Sequence, residues 1–277
     1  MLDWKRIPPS ALIGLVLTGA IVCVALFAPW IAPYGNGQVV GDVWAPMSDK
    51  VWLGTDNLGR DLLSRMIYAT RVTLIIAGAA TALSFTMGAI LGFVAAVVGG
   101  WVDQWLSRGV DLLMAIPTLI FALVVLSVLP STVIVLVLVL GILDSTRVFR
   151  LARAVAADIN VMDFVEAAKL RGEKTGWIVF SEILPNALTP LISELGMRFI
   201  FAVLFLSALS FLGLGVQPPD VDWGGMVKEN KEGIVFGIPA ALIPAAAIAV
   251  LTISVNLVAD WILNRTSSLK GGRGNGR

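Results

Sequence analysis

Few residues in this sequence could do chemistry. There is no His and a single Cys, Cys23, so imidazole bases, imidazole metal sites, disulfides and thiolate catalysis are excluded together. Ser207 and Ser210, three apart in an apolar run, could act as nucleophiles only beside a base, and no His is available to them. Gly172-Glu-Lys-Thr175 ends like a phosphate loop but lacks the G-x-x-x-x-G-K-[ST] spacing that cradling a phosphate requires. No catalytic residue, no resident metal and no cofactor are therefore expected in this chain. Cys23, inside an apolar run, reads as a small lipid-facing or packing residue.

The remaining polar candidates lie in or beside apolar runs. Asp111, Asp144 and the Glu194/Arg198 pair at i, i+4 are ionisable groups near the ends of such runs, where ion pairing or snorkelling to the interface is the expected role. Ser207 and Ser210 could line a polar path or pack helix against helix.

The elements around these residues belong in lipid. The chain is 57% hydrophobic and 14% charged, with a mean hydropathy of +0.88, whereas soluble domains carry about 25% charged residues. Apolar stretches at residues 11–30, 72–98, 109–129, 132–143, 191–212 and 238–263 predict six transmembrane helices, the fourth entered by a tight turn at Pro130 and running on toward Phe149. The first follows Lys5 and Arg6 as a signal sequence would, but it is too long for one and reads as a retained span. An even number of spans puts both termini on one side. With that side cytoplasmic, only Lys50, Arg60, Arg65, Arg71, Lys228 and Lys231 of the twenty basic residues fall outside, which agrees with the positive-inside bias. A net charge of +1 and the lack of a basic, aromatic-interleaved stripe exclude nucleic acid as a partner.

The predicted organisation is an N-terminus and first span over 1–33, an external segment over 34–71, and a core permeation domain over 72–263. That core includes a cytoplasmic loop at 150–190 and an external loop at 213–237, and a cytoplasmic tail over 264–277 follows, Gly-rich and disordered from Ser267. Within the cytoplasmic loop Asn160 caps a short helix carrying Asp163 in its first turn, and Gly172 supplies the left-handed position that ends it. Thr175 caps a second helix, with Trp177, Phe180, Ser181 and Leu184 on one face, until Pro185 stops it. Such an elbow suits a groove in a soluble partner: Ala167 and Ala168 allow close approach, and Glu166 could pair with a basic group.

Glu166-Ala-Ala-x-x-x-Gly172 followed by Leu184-Pro185 resembles the EAA signature of ATP-binding-cassette importer permeases. Three more segments resemble the dipeptide/oligopeptide/nickel permease family, in particular its shorter, C-type subunit. They are Leu53-Gly-Thr-Asp-Asn-Leu-Gly-Arg-Asp61, Gly99-Gly-Trp-Val-Asp103 through Pro117, and Phe211-Leu-Gly-Leu-Gly-Val-Gln-Pro-Pro219 with Trp223-Gly224. The first reads as a turn that seats an external helix, and the third as a loop-shaping cluster.

The resemblance implies an all-α polytopic fold of the type I importer kind in the bacterial inner membrane, with ATPase coupling through Asp163, Glu166, Ala167, Ala168, Gly172, Trp177, Leu184 and Pro185. It also implies a translocation path touching Ser207, Ser210 and Pro117. A second homologous permease subunit, two cytoplasmic ATPase subunits that hold ATP and Mg, and a periplasmic or lipid-anchored solute-binding protein are the implied partners. Short peptides are the implied cargo, with nickel chelates, opines or other small solutes as alternatives. A secondary transporter driven by an ion gradient is the competing reading, and it would call for internal repeats with interrupted helices and midplane acids, which the sequence does not display.

Overall fold

The computed structural model describes residues 7–271, with side chains through residue 264. Lys5, Arg6 and the end of the tail lie outside the described residues. Ten α-helices run in the order α1 (Pro9–Ile31), α2 (Leu62–Val98), α3 (Gly100–Ala115), α4 (Thr118–Val128), α5 (Val133–Asn160), α6 (Asp163–Leu170), α7 (Thr175–Trp177), α8 (Leu184–Phe211), α9 (Trp223–Asn230) and α10 (Leu242–Gly271). No strand occurs among the described residues; only isolated bridges, Val39 with Arg60 and Thr55 with Asp61, tie the external segment to itself.

Four helices are long and apolar enough to cross a membrane: Pro9–Ile31, Leu62–Val98, Thr175–Phe211 and Pro239–Asn264. A fifth crossing exists if α3 and α4, which bend by 85° at their junction, make one broken span. That bend replaces the straight third helix expected over 109–129. It falls at Ile116 and Pro117, whose extended backbone and missing N–H interrupt the helical ladder. The stretch expected at 132–143 is part of the 28-residue α5, which is capped by Thr132, whose Oγ1 accepts from Val135 N. Asp144, Arg147, Arg150 and Arg153 are spaced along its middle and second half, which keeps it out of the apolar set. Because α5 runs to Asn160 and α8 begins at Leu184, the cytoplasmic loop expected at 150–190 narrows to the stretch between them. α10 continues to Gly271, so the tail expected to be disordered from Ser267 is helical over its first residues.

The longest elements, α2 and α5, lie against each other through glycine. A Cβ at Gly88 would stand 2.6 Å from the Ser145 carbonyl oxygen, and one at Gly92 would stand 2.7 Å from that of Phe149. Across the same seam Gly141 of α5 leaves room for Leu83. Such small-residue contacts let helix backbones approach where lipid supplies no hydrophobic drive for association. One buried cluster, with Ile76, Ala122, Leu136 and Leu206, joins α2, α4, α5 and α8. Another, with Leu62, Trp223, Met226 and Leu251, seats α9 and α10 on α2 and α8. A third, with Phe93, Ala152, Val165 and Ile178, lies where α2 and α5 meet the short helices.

Overpacking a close contact costs about 1–3 kcal/mol, so Gly88→Val and Gly92→Val should each lower the thermal unfolding midpoint of the purified protein in detergent by several degrees. Gly78→Ala, on the same helix with open space around it, should leave the midpoint unchanged or raise it.

Candidate functional site: the elbow and two charge clusters

Among the described residues, the elbow between α5 and α8 is exposed, and two clusters of charged groups lie elsewhere in the fold. Met162, not Asn160, occupies the N-cap of α6. Asn160 still belongs to α5, where its Nδ2 donates to Ala96 O. The helix ends as expected: Gly172 has φ +82°, its N–H donates to Lys169 O at 3.0 Å and Glu173 N–H donates to Ala168 O at 3.2 Å. These two bonds form the Schellman pattern, which needs a residue free of Cβ strain at that point.

The second helix differs from expectation. Lys174 precedes it without a side-chain cap, Thr175 is its first residue, and Ile178–Ile183 widen into a π-helical turn. The wider turn leads straight into α8, with Pro185 in that helix's first turn, where its missing N–H costs nothing. Pro185 therefore begins the long helix and does not stop the short one.

The elbow's inner and outer faces separate cleanly. Val165, Ala168, Ile178, Val179 and Ile183 are buried against Phe93, Ala152 and Ala156. Asp163, Glu166, Ala167, Gly172, Trp177 and Phe180 are exposed, as are Val161 and Leu170, the last at 84%. Leu184 is partly buried and Pro185 is exposed. Ala168, expected to face a partner, instead packs wholly inside the chain, so close approach from outside is left to Ala167 and the open space around Gly172. Arg171 lies 5.9 Å from the Trp177 ring and within 4.0 Å of Glu182, fastening the outer turn.

The second place is at the start of α2, on the segment expected to be external. Asp56 is fully buried and accepts from Arg60 Nε at 2.7 Å and from an Arg65 guanidinium nitrogen at 2.6 Å; both arginines also pair with Glu229 of α9. Asp56 further accepts the Leu58 and Arg60 backbone N–H groups, and Asp61 caps α2 through Ser64 N. The Leu53–Asp61 segment is thus a folded turn locked to the distant α9 loop, in keeping with its expected seating role.

Ser207 and Ser210 serve that same loop. Ser207 Oγ donates to Val203 O, and its backbone packs under Gly224. Ser210 Oγ accepts from Val216 N. Both side chains are buried within the chain. Asp222, fully buried, caps α9 by accepting from Gly224 N and Gly225 N at 3.1 and 3.2 Å. Burial pushes its carboxyl up to about 6, against the opposing hydrogen bonds from Ser210 and those two glycines.

The third place lies between α5 and α8. Arg198 bonds Asp144 at 3.1 Å and Glu194 at 2.8 Å, and Ser84 of α2 adds a hydrogen bond to Asp144. Arg147 stacks over Phe201 at 4.3 Å. Asp111 and Arg150, both largely exposed, pair at 2.7 Å between α3 and α5. Of these, only the Glu194/Arg198 pair could be read from local spacing.

With this geometry in view, the comparisons with known proteins are specific. Residues 88–268 match the model of the binding-protein-dependent transport system inner membrane component, and residues 9–43 match the N-terminal membrane domain of oligopeptide transport permease C. The chain belongs to this permease family.

Among its relatives, the di/tripeptide transport system permease protein DppC of Pseudomonas aeruginosa is 35% identical, covering 91% of this chain and 86% of the relative. The dipeptide transport system permease protein DppC of Alkalihalophilus pseudofirmus is 30% identical over 91% and 83% of the two chains. The glutathione transport system permease protein GsiD of Pectobacterium atrosepticum is 29% identical over 87% and 81%. As a member of this permease family, the chain is a multi-pass membrane subunit of an ATP-binding-cassette importer.

Two outcomes follow from the charge geometry. Removing one partner of a buried pair costs about 3–5 kcal/mol, so Arg65→Met should destabilise the protein strongly, whereas Asp111→Ala, at an exposed pair, should change stability by less than about 1 kcal/mol. Asp222 titrates at a higher pH when folded than when unfolded, so the folded state holds the extra proton between about pH 4 and pH 6, and the contribution of this group to stability falls as pH rises through that window. Thermal unfolding in detergent from pH 4 to pH 7 should show this slope, and Asp222→Asn should flatten it.

Proposed function

We propose that this permease has six membrane crossings, α5 being the one whose charged inner half is shielded by protein, with both termini in the cytoplasm of a bacterial cell. It pairs with a second, homologous permease subunit, receives small peptides from an external solute-binding protein, and is driven by two cytoplasmic ATPases that hold ATP and Mg. The peptide assignment rests on the names of the relatives. The elbow is the coupling element, with Asp163, Glu166, Ala167, Gly172 and Trp177 on the face that meets an ATPase and Ala168, Leu184 and Pro185 fixing it from behind. Pro117, at the exposed kink between α3 and α4, belongs to the translocation path in this reading.

One observation carries the coupling role. The elbow exposes Trp177, Phe180 and Leu170 to water while its inner face is built into the α2–α5 core. Exposed apolar groups on a rigidly held projection fit a groove in a soluble partner, and a push on such a lever is delivered to the membrane helices as rigid-body movement.

The test is ATP hydrolysis and dipeptide uptake in proteoliposomes, using the complex purified through this chain. The ATPases should co-purify, and Glu166→Lys or Gly172→Asp should lower uptake by about tenfold or more, the equivalent of losing about 1.4 kcal/mol at the contact. Uptake that follows an imposed ion gradient without ATP, in a preparation free of ATPase, would replace this reading with a secondary transporter.

A further inference from the structure

Four charged residues of α5 and α8, Asp144, Arg147, Glu194 and Arg198, gather at one level. At 1.5 Å per residue, Asp144 and Arg147 lie about 17 and 21 Å below the external start of α5, and Arg198 and Glu194 lie about 20 and 26 Å below the external end of α8, within a core about 30 Å thick. The cluster therefore sits in the inner half of the membrane, short of its cytoplasmic boundary.

An arginine at that depth facing lipid extends toward the nearer interface. Arg147 does the opposite. Its guanidinium carbon is 4.3 Å from the centroid of Phe201, a ring about 15 Å below the external end of α8 and hence nearer the middle of the membrane. Phe201 is itself stacked on Phe205 at 5.4 Å, which fixes the plane under the guanidinium.

The charges around it are already engaged. Arg198 is held by Asp144 and Glu194 together. Arg147 makes no salt bridge among the described residues, although the Asp144 carboxylate is near enough for the two charges to attract, and it remains partly exposed. A guanidinium turned from the interface, partly uncovered and with no carboxylate bonded to it, needs water or an anion beside it, because lipid chains can satisfy none of its donors. The α5–α8 face at Arg147 and Phe201 thus borders an aqueous space.

We propose that Arg147, presented over Phe201, is a carboxylate-binding station on the translocation path, receiving the terminal carboxylate of a small peptide in transit. This rests on the peptide-import reading above. The fork of a guanidinium matches a carboxylate with two parallel hydrogen bonds. Arg198 does not compete, since its charge is spent on two acids. A single fork also holds weakly, as a conducting site must if cargo is to leave it again.

The experiment uses the reconstituted importer with its ATPases and binding protein, and compares uptake of alanyl-alanine with that of its C-terminal amide. Binding-protein affinity for each is measured separately and uptake is read at saturation. Wild type should move the acid faster than the amide. Arg147→Gln should lower acid uptake by about tenfold, the effect of losing one charge-assisted contact, while leaving amide uptake and ATP hydrolysis at their wild-type rates; Arg147→Lys should recover part of the loss. An equal loss for acid and amide would make Arg147 a structural residue and overturn the proposal, as would no loss at all. Wild type that hydrolyses ATP but moves neither solute would instead overturn the peptide-import reading, and the station with it.

Discussion

The contact on which the rest of this molecule depends is the glycine-lined seam between α2 and α5. Gly88 and Gly92 bring the two backbones so near that even one methyl group would meet the Ser145 or Phe149 carbonyl oxygen. Lipid gives helices no hydrophobic reason to associate, so dispersion across a close interface has to hold them. Since α2 reaches from the Leu53–Asp61 turn to the elbow, and α5 leads directly into α6, this seam places both ends of the molecule relative to each other. The elbow's inner residues, Val165 and Ile178 among them, then pack on the far end of that same pair. The elbow and the two long helices are in this way packed as one body.

Charge divides according to what each end must do. At the start of α2, Asp56, Arg60, Arg65 and Glu229 close a buried network that joins residues far apart in the chain, and Asp222 caps α9 at a cost in desolvation. These groups give that end of the molecule a fixed shape. Between α5 and α8, Arg198 bonds both Asp144 and Glu194, and Arg147, which bonds neither, offsets the remaining negative charge through space. Breaking either buried set strands a charge where neither water nor lipid can receive it. Exposed pairs such as Asp111 with Arg150 carry no such penalty.

Features set by a few adjacent residues were legible in the sequence. The Gly172 stop and the turn in the Leu53–Asp61 segment each follow from backbone rules that act within a handful of positions. The family, too, was readable from ordered motifs. What escaped depends on partners distant in sequence or on helical continuity. Arg65 and Glu229 are separated by 164 residues, and Asp144 and Arg198 by 54; no local pattern marks either pair. Asn160 has the residue type of a cap, yet helix α5 gains more by continuing against α2. Pro185 lacks the N–H a helix interior needs, but the π turn before it places it where that loss is harmless. Ser207 and Ser210 suited a path by polarity alone, while the glycines packed on them show what those small side chains make room for.

If the glycine seam carries the stroke, the elbow moves with α2 and α5 as a rigid unit. Spin labels on Val98 and Leu170, both exposed, in a Cys23→Ser background of the assembled importer would measure the distance between the end of α2 and the elbow with and without trapped nucleotide. A rigid unit predicts a distance that changes by no more than about 1–2 Å, the scale of helix shifts within packed assemblies. A change of about 5 Å or more, a full helical turn, would mean that the elbow slides on the membrane helices and that the seam does not carry the stroke.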